Sequence, residues 1–521
     1  MNKKLGITLA IFCGMLVTHL PAANVLSSPG FESNPAGQSQ NIIGWTWYGQ
    51  PWGNTFNQTG SDARSGNNYF KVFQGFTSSV NYSGVYQDYI SGSGVSYTAD
   101  GWAKTISSDA LAGQNIAWLE VTFRDANASV LALYRSGVIS TNGFPKNTWV
   151  NLPVMNQFNP TTYVITNTTK SLVAPPGTYF VRYQVTFQGD AAGSTGSVYF
   201  DDLNLNLTSA APYGDWNIVW SDEFNGTAVD TNTWTYDLGN GGSNPGWGNS
   251  ELEYYTGRTN NASVYDGLLH IIARKEATNG FSYTSARMKT QGLRAWKYGR
   301  FEWRARSPGG TGFWPALWFL GTNITTVGWP GCGEIDVMEA NGVTHTNVQG
   351  SLHSGSDETT IYTFPDGGSV TNFHNYVLDW STNAFLFYVD GHLYQSQTSW
   401  TSSLGSYPTP FDKPEFMILN LAVGGNYVGN PSVAAINANG GFPGELQVDY
   451  VRVLNQTTPL KISLLRTNNA LLVSWPSNVV GHLQAQFNSG LGTNWADLTQ
   501  TTNPASIRPT NSSGFFRLQS P

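Results

Sequence analysis

Apolar and polar residues alternate with a period of two along most of the chain, as in Trp118-Leu-Glu-Val-Thr-Phe-Arg124, Tyr179-Phe-Val-Arg-Tyr-Gln-Val-Thr-Phe187 and Tyr298-Gly-Arg-Phe-Glu-Trp-Arg-Ala-Arg306. That period sends successive side chains to opposite faces of a strand. Short strands of this kind, divided by Gly, Ser, Asn and Pro and without helical periodicity, predict β-sandwiches. One runs from 24 to 207. The segment 208–214, with Ser, Ala, Pro and Gly, reads as a linker, and a second, longer β pattern follows from 215 to 455. Within it Arg287-Met-Lys-Thr-Gln-Gly292 and the stretch from Tyr298 alternate as a hairpin would, and the Gly-rich loop Ser307-Pro-Gly-Gly-Thr-Gly312 suits the rim of a cleft. After a polar, Pro-containing connector from Asn455 to Leu460, the stretches Leu471-Leu-Val-Ser-Trp475 and Gly514-Phe-Phe-Arg-Leu518, with Trp495 between, predict a small third β unit over 456–521.

The start of the chain has a different pattern. Lys3 and Lys4, an apolar run from Leu5 to Val17, and Pro21-Ala22-Ala23 together predict a signal peptide over 1–23 and a secreted protein. No later stretch approaches the ~18 apolar residues of a membrane-spanning helix, so no membrane partner is expected.

Composition sharpens this picture. Charged residues make up 11% of the chain, well below the usual quarter, while aromatics reach 14% and Gly numbers 57. A net charge of −7 without Lys/Arg clusters argues against nucleic acid. Nineteen Trp in a charge-poor β protein point to carbohydrate, because sugar rings present apolar C–H faces that stack on aromatic rings, although a core role is the commoner one for any single Trp. Trp45, Trp47, Tyr48 and Trp52 form the densest aromatic run. Cys13 lies in the leader, which leaves Cys332 without an intrachain partner and expected to be a buried small side chain, facing by strand parity the same way as Glu334. The seven His lack H-x-x-x-H spacing and there is no G-x-S-x-G elbow, so zinc and serine hydrolase chemistry lack residues.

The chemistry concentrates in Gly333-Glu334-Ile335-Asp336-Val337-Met338-Glu339. As a strand, it places Glu334 and Asp336 on one face and Ile335 and Val337 on the other. Glu339 has the wrong parity unless a β-bulge at Val337 or Met338 turns it onto the acidic face. With one residue so absorbed, the two Glu Cα atoms would stand ~13 Å apart and their carboxyl groups roughly 5 Å apart. A separation of about 5 to 5.5 Å belongs to retaining glycoside hydrolysis, in which one carboxylate attacks the sugar and the other protonates the leaving oxygen. Such work needs Glu334 ionised and Glu339 protonated near neutral pH; the charges of Glu334 and Asp336 favour the second condition by repelling a third. No cofactor is required.

Glu334-Ile-Asp336-Val-Met-Glu339 resembles the E-I-D-x-x-E signature of glycoside hydrolase family 16. Trp220-Ser-Asp-Glu223-Phe224, Trp247-Gly-Asn249-Ser-Glu251-Leu-Glu-Tyr-Tyr255, Phe313-Trp314-Pro-Ala-Leu-Trp318, Phe373-His374-Asn-Tyr-Val-Leu-Asp-Trp380 and Asn420-Leu-Ala-Val-Gly-Gly425-Asn426 extend the match toward the laminarinase branch, from near Asp215 to near Asn455. The resemblance implies an all-β jelly-roll, a concanavalin A-like sandwich, with a sugar cleft and endo-β-1,3-glucanase activity. It also implies Glu334, Asp336 and Glu339 as the catalytic trio, and Asn249, Glu251, Arg287, Trp314, Trp318, His353 and Asn426 as residues lining subsites. Trp318 is expected to be a stacking floor, His353 to orient Glu339 or bond the substrate, and Asp336 to hydrogen-bond Glu334. Glu223, the backbone of Gly267 and Asp449 occupy positions that look like those holding a structural calcium in laminarinases. Pro29-Gly-Phe31-Glu32, Trp102 and Val198-Tyr-Phe-Asp201-Asp202-Leu203 resemble carbohydrate-binding modules of families 4, 9 and 22, which implies a second jelly-roll at 24–207 and a calcium held by Glu32 and one of Asp201 or Asp202. The expected substrate is a β-1,3-glucan. The alternatives are another specificity of the same family, such as mixed-linkage glucan, agar or carrageenan, and a non-catalytic β-glucan-binding protein. Sulfated galactans would call for cleft cations, and apart from Arg287, Lys289 and Arg294 few stand near these motifs.

Overall fold

The computed structural model describes residues 23–33, 42–49, 56–59, 61–73, 78–191, 194–208, 216–365, 367–402 and 404–456, together with short strands beyond 456. The predicted leader up to residue 22, the linker after Thr208, Trp52, Trp475 and Trp495 lie outside the described residues. Among the described residues no helix is long and apolar enough to cross a membrane.

The fold is all-β. The first sandwich is built from β1 (Thr46–Gly49), β2 (Asn68–Phe73), β3 (Asn81–Ile90), β4 (Ser96–Lys104), β5 (Ile116–Arg124), β6 (Val130–Arg135), β7 (Phe180–Gly189) and β8 (Ser197–Leu207). Antiparallel pairing runs β1-β3-β7-β5-β6 in one sheet and β4-β8-β2 in the other. The period-two pattern explains the layering: Val181, Tyr183, Val185 and Phe187 enter a core with Phe70, Leu119, Val121, Phe123 and Phe200, and Arg182, Gln184 and Thr186 take the opposite face.

The second sandwich supplies the site. Its strands are β9 (Thr235–Asp237), β10 (Arg287–Lys289), β11 (Gly299–Arg306), β12 (Phe313–Gly321), β13 (Glu334–Glu339), β14 (Asn347–His353), β15 (Asp357–Thr363), β16 (His374–Trp380), β17 (Phe385–Val389), β18 (His392–Gln397), β19 (Glu415–Val423) and β20 (Gly444–Gln456). One seven-stranded sheet has the order β9-β10-β19-β12-β13-β14-β15. Its inner face, with Phe313, Leu317, Phe319, Ile335, Met338, Val348 and Leu419, packs on Phe301, Trp303, Tyr376, Leu378, Phe387, Val451 and Val453 of the other layer. This buried face leaves the opposite face of the sheet free to form a cleft.

The two sandwiches belong to one compact unit, and the chain divides by contacts at Asn455/Gln456. They are docked, not strung on a free tether. His392 of β18 pairs with Tyr89 of β3, the Ile90 N–H donates to Gly391 O at 2.6 Å, and Ile90 and Phe180 share an apolar cluster with Val377, Leu386 and Tyr388. Burial pushes His392 down to about 4, so its neutral ring meets Ser27 Oγ at 2.9 Å. Under this contact Arg300 donates twice to Asp379, at 2.7 and 2.9 Å, with both side chains fully buried; the Tyr388 hydroxyl donates to Asp379 at 3.0 Å, and Arg300 also reaches Ser91 O at 3.4 Å. Trp216 stacks beneath the guanidinium at 4.4 Å. The unit beyond Asn455 has two three-stranded sheets, Ser463–Arg466, Leu471–Ser474 and Ala505–Ile507 in one, and Ala496–Asp497, His482–Gln486 and Phe515–Gln519 in the other.

Removing one partner of a buried ion pair strands the other charge in low dielectric. Arg300→Met is therefore expected to cost about 3–5 kcal/mol in denaturant unfolding, against less than about 1 kcal/mol for removing a surface pair such as Lys413 with Asp412.

Candidate active site

The catalytic-type carboxylates share one face because β13 contains the bulge. Against β12, Leu317 stands opposite Met338 and Trp318 opposite Asp336, so Val337 has no partner of its own. Against β14, Asp336 faces Ser351 and Glu339 faces Gln349. The extra residue corrects the parity of Glu339, and Glu334, Asp336 and Glu339 all line one cavity of about 330 Å³. Strand parity does not extend back to Cys332: Gly333 stands at φ 83 between it and Glu334, and the thiol is fully buried, its pKa pushed up to about 12 by burial and then by Glu415.

The walls come from neighbouring strands. Trp314, Ala316, Trp318 and Leu320 alternate along β12 onto the cleft, and Trp318 is pinned there by its Nε1–H donating to Asn420 Oδ1 at 2.8 Å. Arg287 lies between the rings of Trp247 and Trp318, at 4.6 and 4.7 Å, and is held by Asp237 at 3.0 Å. Glu251 accepts from the Tyr255 hydroxyl at 2.8 Å and lines the cavity with Asn249. Asn426 differs from the expectation: it is absent from the wall, and its backbone N–H donates to Asn249 O at 2.8 Å, so it braces the rim loop. Asn420, six residues earlier in the same motif, takes the wall position because β19 presents it beside Trp318.

His353 also differs. It does not reach Glu339; its Nε2 lies 3.1 Å from Asp336 Oδ2 and its Nδ1 lies 2.7 Å from Asp357 Oδ1. Glu339 is held instead by the Trp314 Nε1–H at 2.9 Å and the Gln349 Nε2–H at 3.4 Å. Asp336 therefore has His353 as its partner, where a bond to Glu334 was expected. Gln349 and Asp357 escaped the sequence reading, although Gln349, Ser351 and His353 alternate on one face of β14 and so were all available to the carboxylates.

Burial governs the protonation of the cluster. It raises Glu334 well above the usual carboxylate range, with Asp336 adding to the effect, and it pushes Glu339 up to about 8, again with Asp336 second. Asp336 is raised by burial and drawn back by His353. Burial alone would lower His353, but Asp336, Glu334 and Asp357 lift it to about 10, so it is an imidazolium at neutral pH. His353 thus draws down all three carboxyl groups, and Arg287 adds to its effect on Glu334. Glu334, Asp336 and His353 form the one cluster of potential metal donors among the described residues, and the two ring nitrogens of His353 are engaged by Asp336 and Asp357.

The implied calcium sites do not fit. Glu223 accepts both arms of Arg452, at 2.9 and 2.7 Å, and Asp449 is paired with Arg304 at 2.5 Å, so each carboxylate proposed beside Gly267 already carries a guanidinium. In the first sandwich Glu32 accepts from the N–H groups of Asn67 and Asn68, Asp201 from those of Arg64 and Ser65, and Asp202 pairs with the Arg64 guanidinium. These acids fasten the turn at 64–68; their oxygens are aimed at donors where a hard cation would need them free.

The fold and the carboxylate-bearing strand define a glycoside hydrolase, and the chain belongs to glycosyl hydrolases family 16, whose model matches residues 249–451. A β-glucanase of Rhodothermus marinus is 40% identical over 270 residues, which are 48% of this chain and 88% of that protein. Glucan endo-1,3-β-glucosidase A1 of Niallia circulans is 36% identical over 303 residues, 54% of this chain but 44% of that longer protein. The X-ray structure of an endo-β-1,3-glucanase from Pyrococcus furiosus shares 42% identity, with a TM-score of 0.43 over 46% of this chain and 95% of that one.

Two outcomes are expected. Replacing His353 in His353→Gln removes a group that lowers both Glu334 and Glu339, so an acidic limb of the kcat/KM profile set by either carboxylate should move up by about one pH unit. Chelation with EDTA should move the Tm by less than about 2 °C, because Glu223 and Asp449, the carboxylates read as calcium ligands, are already paired with Arg452 and Arg304.

Proposed function

We propose that this chain is a secreted endo-β-1,3-glucanase that works with retention, Glu334 being the nucleophile and Glu339 the acid/base. The observation that carries it is the bulge in β13, which turns Glu339 onto the face of Glu334 in a cleft walled by Trp314 and Trp318. In the first step the Glu334 carboxylate attacks the anomeric carbon while Glu339 gives its proton to the departing glycosidic oxygen. The glycosyl ester removes the charge of Glu334, which lowers the pKa of Glu339 and lets it take a proton from the water that then attacks the same carbon. Asp336, 3.1 Å from His353, adds to burial in raising Glu339, which suits that residue to hold the proton it gives, and it acts on Glu334 in the same direction. Two carboxyl groups suffice, with no cofactor.

Support for a neutral β-glucan comes from the relatives named for 1,3-glucan hydrolysis and from the cleft cations. Arg287 and Lys289 are both tied to Asp237, at 3.0 and 2.5 Å, which leaves neither to neutralise a sulfate. Secretion rests on the charged, apolar and small-residue pattern of the first 23 residues.

Products from laminarin, with lichenan, agarose and κ-carrageenan alongside, test this directly. Wild type should release oligosaccharides from laminarin, and Glu334→Gln and Glu339→Gln should each lose at least about 10³-fold in kcat. Release from another polysaccharide alone would keep the mechanism and change the substrate. Binding without turnover on all of them would leave a glucan-binding protein.

A further inference from the structure

The sheet face that bears the carboxyl groups continues beyond the cleft to the edge of the sheet. Glu339 pairs across to Gln349, and Gln349 pairs across to Ile361 on the edge strand β15, so these three stand in one row spanning about 10 Å on the cleft face. Ile361 is 59% exposed, an unusual state for a β-branched apolar side chain in register with a catalytic-type carboxyl. Beyond it the docked first sandwich begins. A groove of about 320 Å³ is walled on one side by Ile361 and Thr363 and on the other by Thr46, Tyr86 and Asp88.

That far wall belongs to a second row. Thr46, Tyr86, Gln184, Glu120 and Arg135 are successive cross-strand partners on β1, β3, β7, β5 and β6, a line about 19 Å long on the outer face of the open sheet. Beside its outer half lies a concavity of about 480 Å³ walled by Tyr48, Trp118, Arg135, Tyr163 and Gln184. Two of the three Arg side chains on this face are paired with carboxylates, and the third, Arg124, is turned onto Thr122 Oγ1 at 2.9 Å and Ala128 O at 2.8 Å. Arg135 pairs with Glu120 at 2.8 Å and lies over Trp118 at 4.6 Å and Tyr163 at 5.3 Å; Arg182 donates twice to Asp88 at 2.7 Å and lies over Tyr86 at 3.6 Å. What remains is a belt of amide, hydroxyl and aromatic surface, which suits a neutral polyhydroxylated chain and neither an anion nor a cation.

We propose that the cleft and the open face of the first sandwich are consecutive parts of one track, joined at Ile361, Thr46 and Tyr86, that holds a single long glucan chain during cleavage. The proposal rests on the glucanase function above. It makes the first sandwich a set of distal subsites of the active site, where a separately binding module would act only by tethering.

The test uses the full chain and compares kcat/KM on a long soluble β-1,3-glucan with kcat/KM on its tetrasaccharide. Thr46 is exposed on β1, so Thr46→Trp should obstruct the junction without disturbing a core. Its polymer-to-tetrasaccharide ratio should fall about tenfold. Tyr163 has φ 54 and is 57% exposed at the outer end, so Tyr163→Asn keeps a residue that tolerates this conformation; its ratio should fall about threefold. Ratios equal to wild type in both variants would overturn the track. So would variants that weaken retention of long glucan by the Glu334→Gln protein while leaving the turnover ratio unchanged, since that describes two independent sites. A wild type that cleaves no β-glucan would fail before any variant is compared, and would sink the glucanase function together with the track.

Discussion

One extra residue in one strand is the constraint on which the site depends. In a regular strand Glu339 would point inward toward Leu317 and Phe319, Met338 would take its place on the cleft face, and the cleft would hold two carboxyl groups. The unpaired Val337 shifts the register by one, sends Met338 to the core beside Ile335, and delivers Glu339 to the side of Glu334 and Asp336. The flanking strands fit this irregularity: β12 supplies Trp314 to hold Glu339, and β14 supplies Gln349 from the other side.

The same packing creates the electrostatics. Three carboxyl groups set into the outer face of a close-packed sandwich are all raised by burial, and His353, with Arg287 at Glu334, opposes that rise. Beneath the cleft, burial holds Glu415 and Glu253 well above the usual carboxylate range, Glu415 with no hydrogen-bond partner for either oxygen.

Docking of the two sandwiches has both an energetic and a functional side. The Arg300–Asp379 pair, neutral His392 and the apolar cluster of Ile90, Phe180 and Leu386 fix the first sandwich against the edge of the second. A fixed junction is what allows two surfaces to act on one polymer, since a mobile tether would only raise the local concentration of substrate.

The sequence by itself determined the all-β class, the acid-rich strand and the family, because period-two alternation and a run of carboxylates within one strand are local signals that survive without knowledge of neighbours. It also carried the need for a bulge, since parity is a property of one strand. The partners were decided only by the tertiary structure. His353 serves Asp336 and not Glu339, Asn420 and not Asn426 walls the cleft, and Arg452 and Arg304 occupy the acids read as calcium ligands. Each of these depends on cross-strand register and on residues far apart in the chain, where a shift of one position exchanges the two faces of a sheet and a motif's spacing is silent.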